Sequence, residues 1–128
     1  MSVTKTESSD STSANRLSQR QRLERAAALY LPDCYAGETV ARISEFAQRL
    51  GVTREHLTRV VSEAYGITPL EFLRGRQLDR AIHLLRTTSY STVRVAAMSG
   101  FGTRPAFYRT FKKAMGMTPG EYRKQVTK

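Results

Sequence analysis

Apolar residues recur at helical spacing from about residue 16 onward. Leu23, Ala26, Ala27 and Tyr30 share one face of a first helix over 16–31, which Pro32 and Gly37 are expected to end. Ile43, Phe46, Ala47 and Leu50 mark a second helix that begins at Thr39 or Arg42 and stops at Gly51, and Leu57, Val60, Val61 and Ala64 form the core stripe of a third over 53–65. A longer helix from Pro69 to about Arg86 turns Leu70, Phe72, Leu73, Leu78, Ala81, Leu84 and Leu85 inward; at 1.5 Å per residue it is roughly 27 Å long. Val93, Ala96 and Ala97 face inward from a fifth helix over 92–99, and Phe107, Thr110, Phe111 and Ala114 from a sixth that follows Thr103.

The punctuation between these segments occurs twice. From Thr53 to Arg74 the chain is a weaker copy of what stands fifty places later, with Thr, Arg, Arg, Ala, Gly, Thr, Pro and Glu recurring at matched positions. Each copy contains a helix, a short turn through Gly51-Val52 or Gly100-Phe101-Gly102, and a helix capped by Thr53 or Thr103, which is the helix-turn-helix arrangement. Ala47 and Gly51 recur as Ala96 and Gly100 at an offset of 49, so the second turn is one residue longer. Each copy ends in a glycine, Gly66 or Gly116. Thr68-Pro69-Leu70-Glu71 and Thr118-Pro119-Gly120-Glu121 then follow as capping boxes that start the long helix and a seventh, C-terminal one.

The reading is therefore an all-α fold of about seven helices, with two helix-turn-helix subdomains joined by a long linker helix. Residues 1–15, rich in Ser and Thr and almost without large apolar groups, are expected to be a disordered tail. Residues 16–66 form the first subdomain, 67–88 the linker and 89–128 the second subdomain. Gly75 inside the linker helix costs about 1 kcal/mol relative to alanine, and is read as a place of close approach by packing or phosphate.

Charge changes the picture more than composition does. The 128 residues carry a formal net charge of +10. Residues 1–38 are neutral on balance, and the whole excess falls in 39–128, with sixteen basic and six acidic side chains. It is densest in 91–128, where eight basic residues face one acid. Such a localised basic surface points to a polyanion, and for a compact helical domain to double-stranded nucleic acid rather than an anionic membrane. No run of about 18 apolar residues and no signal pattern is present, so no membrane association is expected and the location is read as cytoplasmic, with the nucleoid. One cysteine, Cys34, and two separated histidines, His56 and His83, assemble neither a catalytic constellation nor a metal site. An enzyme is not expected, and no cofactor or metal is implied. Cys34 reads as a half-buried free thiol.

At 100° per residue, Glu55, Thr58, Arg59 and Ser62 lie opposite the core stripe of the third helix, with Arg54 and His56 on its flanks; these side chains could enter a major groove, Arg54 as a further candidate base reader. Arg104, Pro105, Tyr108, Arg109 and Lys112 hold the matching outward face of the sixth. Arg59 and Arg109 suit bidentate bonding to guanine, Glu55 suits the cytosine amino group, and Pro105 suits apolar contact with a thymine methyl. Thr53 and Thr103 at helix N-termini suit phosphate, with His56, Arg76, Lys112 and Lys113 as further phosphate contacts. The competing reading of each is a solvated surface residue, or for the two repeated arginines a partner of phosphate or of an acid such as Glu63.

The residues from about 20 to 124 resemble the DNA-binding domain of the AraC/XylS family of bacterial transcription regulators, and in length the chain is similar to stand-alone members. Gly100-Phe101, Phe107, Arg109, Phe111-Lys112-Lys113, Gly116, Thr118-Pro119 and Tyr122-Arg123 carry the resemblance. It implies a monomer on an asymmetric site across two adjacent major grooves, transcription activation through RNA polymerase, and base reading by the early outward residues of each recognition helix. These are Glu55, Thr58 and Arg59, then Arg104, Pro105, Tyr108 and Arg109. The chain departs from the family in having Gln77 before Leu78 with Arg76 one residue earlier, and Pro105 where a small polar residue is usual. Two other readings stay open: a C-terminal DNA-binding fragment of an effector-responsive regulator, and a helical adaptor that binds DNA weakly.

Overall fold

A computed structural model describes the backbone of residues 2–126 and the side chains of residues 18–126. Seven helices follow one another without a strand among the described residues: α1 Ser2–Gly37, α2 Ile43–Leu50, α3 Arg54–Tyr65, α4 Pro69–Thr87, α5 Thr92–Met98, α6 Arg104–Met115 and α7 Pro119–Val126. Segment 1–15, expected to be a disordered tail ahead of a helix from 16, is helical in its backbone from Ser2 as the start of α1, and its side chains lie outside those described.

Two apolar cores form, and α4 contributes to both. Its first half sends Phe72 and Leu73 into a core with Leu23, Ala27, Tyr30, Phe46, Leu57 and Val61; its second half sends Leu78, Ala81, Leu84 and Leu85 into another with Val95, Phe101, Phe107 and Phe111. In the first, Phe46 stacks between Tyr30 and Phe72 with ring centroids 6.0 Å apart on either side. In the second, Phe107 meets Phe101 at 5.1 Å and Phe111 at 5.7 Å, and Tyr122 of α7 closes on Phe111. Full burial of each such ring removes on the order of 2 to 3 kcal/mol of apolar exposure, so the rings outweigh the weak helix propensity of the short segments around them.

Local signals place most helix starts. The Thr53, Thr68, Ser91 and Thr103 hydroxyls accept from the backbone amides of His56, Glu71, Arg94 and Ala106. The Glu71 and Glu121 carboxylates in turn accept the amides of Thr68 and Thr118 at 3.0 and 2.8 Å, completing both capping boxes. Those bonds hold both carboxyls below the usual range. The start of α2 has no side-chain cap on Arg42; the Tyr30 hydroxyl serves it instead, accepting the Arg42 amide at 2.8 Å and donating to Glu45 at 2.6 Å.

Several expectations need correction. Pro32 does not end α1, which runs on to Gly37. Proline removes one ladder bond, but Leu31 and Cys34, each 3% exposed, keep the last turns seated on the first core. Leu70 is 47% exposed because Pro69, Phe72 and Leu73 take the core side of α4. In α5 it is Val95, not Val93, that is buried, and Val93 stands 57% exposed. Ala114 is exposed whereas its repeat partner Ala64 is buried, since α1 covers α3 and, among the described residues, no helix covers the same face of α6. A Cβ on Gly75 would meet nothing within 4 Å, so packing does not explain that glycine.

Candidate nucleic-acid interface

The two helices expected to face DNA, α3 and α6, begin alike. Thr53 Oγ1 accepts from the His56 amide at 3.0 Å and Thr103 Oγ1 from the Ala106 amide at 3.3 Å. Both threonines are exposed, so each helix presents remaining free amides and the positive end of its dipole to solvent, where a phosphate oxygen is favoured.

On α3, Arg54, Glu55, Thr58 and Arg59 are all exposed, as the sequence predicts. Two are pre-set by local bonds. Thr58 Oγ1 donates to the Arg54 carbonyl at 3.0 Å, and Arg59 Nη2 lies 2.7 Å from His56 Nδ1. His56 is half-buried beside Arg59 rather than projecting as a separate phosphate contact. The imidazole steadies the guanidinium, and no acid takes that place.

On α6, Arg104, Pro105, Arg109, Lys112 and Lys113 are exposed, and Tyr108 is half-buried. The Tyr108 hydroxyl donates to Thr92 Oγ1 on α5 at 3.1 Å and accepts from Arg104 Nη2 at 3.2 Å. The Arg104 guanidinium stands 4.6 Å from the Tyr108 ring centre. The Thr92 bond, with help from Arg104, holds the phenol below its usual pKa. Tyr108 thus fixes Arg104 and ties the two helices of the second unit.

Arg76 is placed elsewhere. Its Nε donates to Glu24 at 2.9 Å, its second nitrogen pairs with the same carboxylate, and its guanidinium lies 4.2 Å from the Phe72 ring centre. Arg76 fastens α4 to α1 instead of reaching outward. Arg74, which spacing alone passes over, takes a more suggestive position. It lines an open groove between α4 and α6 with Gly75, Leu78, Arg109 and Lys113. Burial and then the nearby Arg109 charge lower its pKa, and its guanidinium stands 5.0 Å from the Phe101 ring centre. One signal was available in the sequence: Arg74 sits four residues after Leu70, which α4 leaves 47% exposed, and four before Leu78, so it lies where the helix passes from open surface to its second core.

Arg123, part of the family-like signature, is structural. It donates to the Leu85 and Thr88 carbonyls at 3.3 and 3.2 Å and also to that of Tyr90, pinning α7 against the end of α4. Gln77 is fully buried, with its amide donating to the Ser99 carbonyl at 3.0 Å. The departure from the family pattern at this position therefore lies in the interior. Among the described residues no helix is long and apolar enough to cross a membrane, and no cluster of His, Cys, Asp or Glu could hold a metal ion.

A family model described as a helix-turn-helix domain matches residues 46–125. An HTH-type transcriptional regulator of Mycobacterium tuberculosis is 36% identical over 83 residues, which is 65% of this chain and 32% of that protein; the chain spans about a third of that relative's length. The DNA-binding domain of AdpA, solved in complex with a target DNA, aligns at 26% identity with a TM-score of 0.70, covering 80% of this chain and 90% of that one. A transcriptional regulator from Chromobacterium violaceum, described as AraC-type DNA-binding domain-containing, aligns at 28% identity with a TM-score of 0.69 over 88% of this chain and 97% of that one. The chain belongs to the AraC-type helix-turn-helix family of DNA-binding transcription regulators, which are not enzymes.

Proposed function

We propose that the protein binds an asymmetric duplex as a monomer, with α3 and α6 in adjacent major grooves. The observation that carries this reading is the doubled, outward-facing constellation: a threonine-capped helix start, an early basic side chain, and a second arginine one and a half turns on. It appears as Thr53, Arg54 and Arg59 in one unit and as Thr103, Arg104 and Arg109 in the other, every member exposed. The 19 residues of α4 span roughly 28 Å, comparable with the 34 to 36 Å between successive major-groove faces. Glu55, Thr58 and Arg59 read bases from α3, and Arg104, Pro105 and Arg109 from α6, with Tyr108 orienting Arg104. Thr53, Thr103, Lys112 and Lys113 hold phosphates, joined by Arg74 from the groove between α4 and α6. On the same reading the protein contacts RNA polymerase, activates transcription and sits at the nucleoid, as the family resemblance implies.

Selection from a random duplex library tests the reading. The expected product is a bipartite site of two unlike halves about one helical turn apart. Recovery of a single short half, of a palindrome, or of no preferred duplex overturns it.

A further inference from the structure

The two helix-turn-helix units touch at a place other than α4. Residues 39–41, between α1 and α2, lie against the turn of the second unit. The Ala41 amide donates to the Gly100 carbonyl at 3.1 Å. A Cβ on Gly100 would stand 3.0 Å from Gln77 Nε2, 3.6 Å from Tyr35 and 3.7 Å from the Thr39 carbonyl. A Cβ on Gly102 would stand 2.4 Å from Val40 Cγ2. Both glycines have positive φ, +76° and +82°, so they are required twice over, for backbone shape and for space. Gln77 joins the seam from α4 through its buried bond to the Ser99 carbonyl. Arg80, stacked 5.1 Å from the Tyr35 ring, and Arg94, 3.8 Å from Glu38, border it.

A helix that passes from one core to another is a single rod, free to bend and twist where neither core grips it. For α4 that stretch lies between Leu73 and Leu78 and contains Gly75. A second attachment away from the rod's axis removes both freedoms. We propose that the seam of Val40, Ala41, Ser99, Gly100 and Gly102 with Gln77 sets the angle between the two recognition helices, so that the protein measures the helical phase between its half-sites. These are positioning residues, and none belongs to the DNA-contacting set. Gly102 lies in the turn that is one residue longer than its counterpart Gly51-Val52, so part of the seam is made by a stretch that the repeat does not share.

The proposal rests on the two-groove reading, and the experiment separates them. Affinity is measured for the selected site, for each half alone, and for the site with one base pair inserted between halves, which rotates one half by roughly 34° about the duplex axis. The wild type should lose on the order of 100-fold on the insertion. Gly102→Ala should lose less than about 10-fold on it, with binding to each half unchanged. Val40→Ala should behave as wild type, and the double variant, in which the added methyl finds space while the left-handed backbone at 102 stays strained, should regain part of the discrimination. Residual dipolar couplings of the free wild type should fit one alignment tensor for both units, a readout that needs no DNA and no variant. Two independent tensors overturn the seam, as does full discrimination by Gly102→Ala or a double variant that regains none. A wild type with no preferred duplex overturns the two-groove reading; one that prefers a duplex yet tolerates the inserted pair overturns the seam's role.

Discussion

Glu24 on α1 accepts Nε of Arg76 on α4 at 2.9 Å, across 52 positions of sequence. The same carboxylate takes the Tyr65 hydroxyl at 2.6 Å, so one side chain gathers α1, α3 and α4. Burial pushes the Glu24 carboxyl up, but the bonds from Arg76 and Tyr65 outweigh it and leave it below the usual range. A carboxyl depressed in the folded state stabilises fully above its unfolded value, about 4.3, and that contribution disappears as pH falls through the lower folded value. Glu24→Gln should therefore cost about 0.5 to 1 kcal/mol at pH 7, a small figure because the pair is partly solvated. The difference from wild type should shrink in urea melts as pH falls below the usual carboxylate range.

Arg76→Ala should cost more than the glutamate change, about 1 to 2 kcal/mol, because it also removes stacking on Phe72. It should leave the salt dependence of DNA binding unaltered. Arg74→Ala should flatten the slope of log affinity against log salt by about 1. Titrations of both variants across salt concentrations distinguish a structural arginine from a phosphate contact only two residues away in sequence.

Arg59→Ala should relax preference at one base pair of the site, by about 1 to 3 kcal/mol of discrimination. Lys112→Ala should weaken all sequences alike. Binding to a panel of single-base variants checks both, and the reverse pattern would mean that reader and anchor have been exchanged.

Tyr108→Phe keeps the ring against Phe107 but removes the hydroxyl between Thr92 and Arg104. About 0.5 to 1.5 kcal/mol of stability should go with that bond. Arg104 should then read its half-site less selectively while binding non-specific duplex as before, as competition gel shifts would show.

What the sequence could express was local. Thr53, Thr68, Thr103 and Thr118 are legible as caps because each bonds an amide only a few residues away, and the left-handed helix ends at Gly51, Gly66 and Gly116 have the same short range. The outward faces of α3 and α6 follow from periodicity for the same reason. Pro32 misleads because its cost is outweighed by Leu31 and Cys34, whose partners lie on other helices. Val93 and Val95 differ by two positions on a seven-residue helix, too short for periodicity to choose between them. Arg76 looks like a phosphate contact until Glu24 is found beside it, and nothing within α4 announces that partner.

A tandem duplication ordinarily yields interchangeable parts. Here Gly102 breaks the exchange: the first turn, Gly51-Val52, has nothing to set opposite Val40 in its place. Swapping the two copies would leave the contact one residue short. A turn one residue longer thus gives the pair a head and a tail, and a polarity that neither copy has alone.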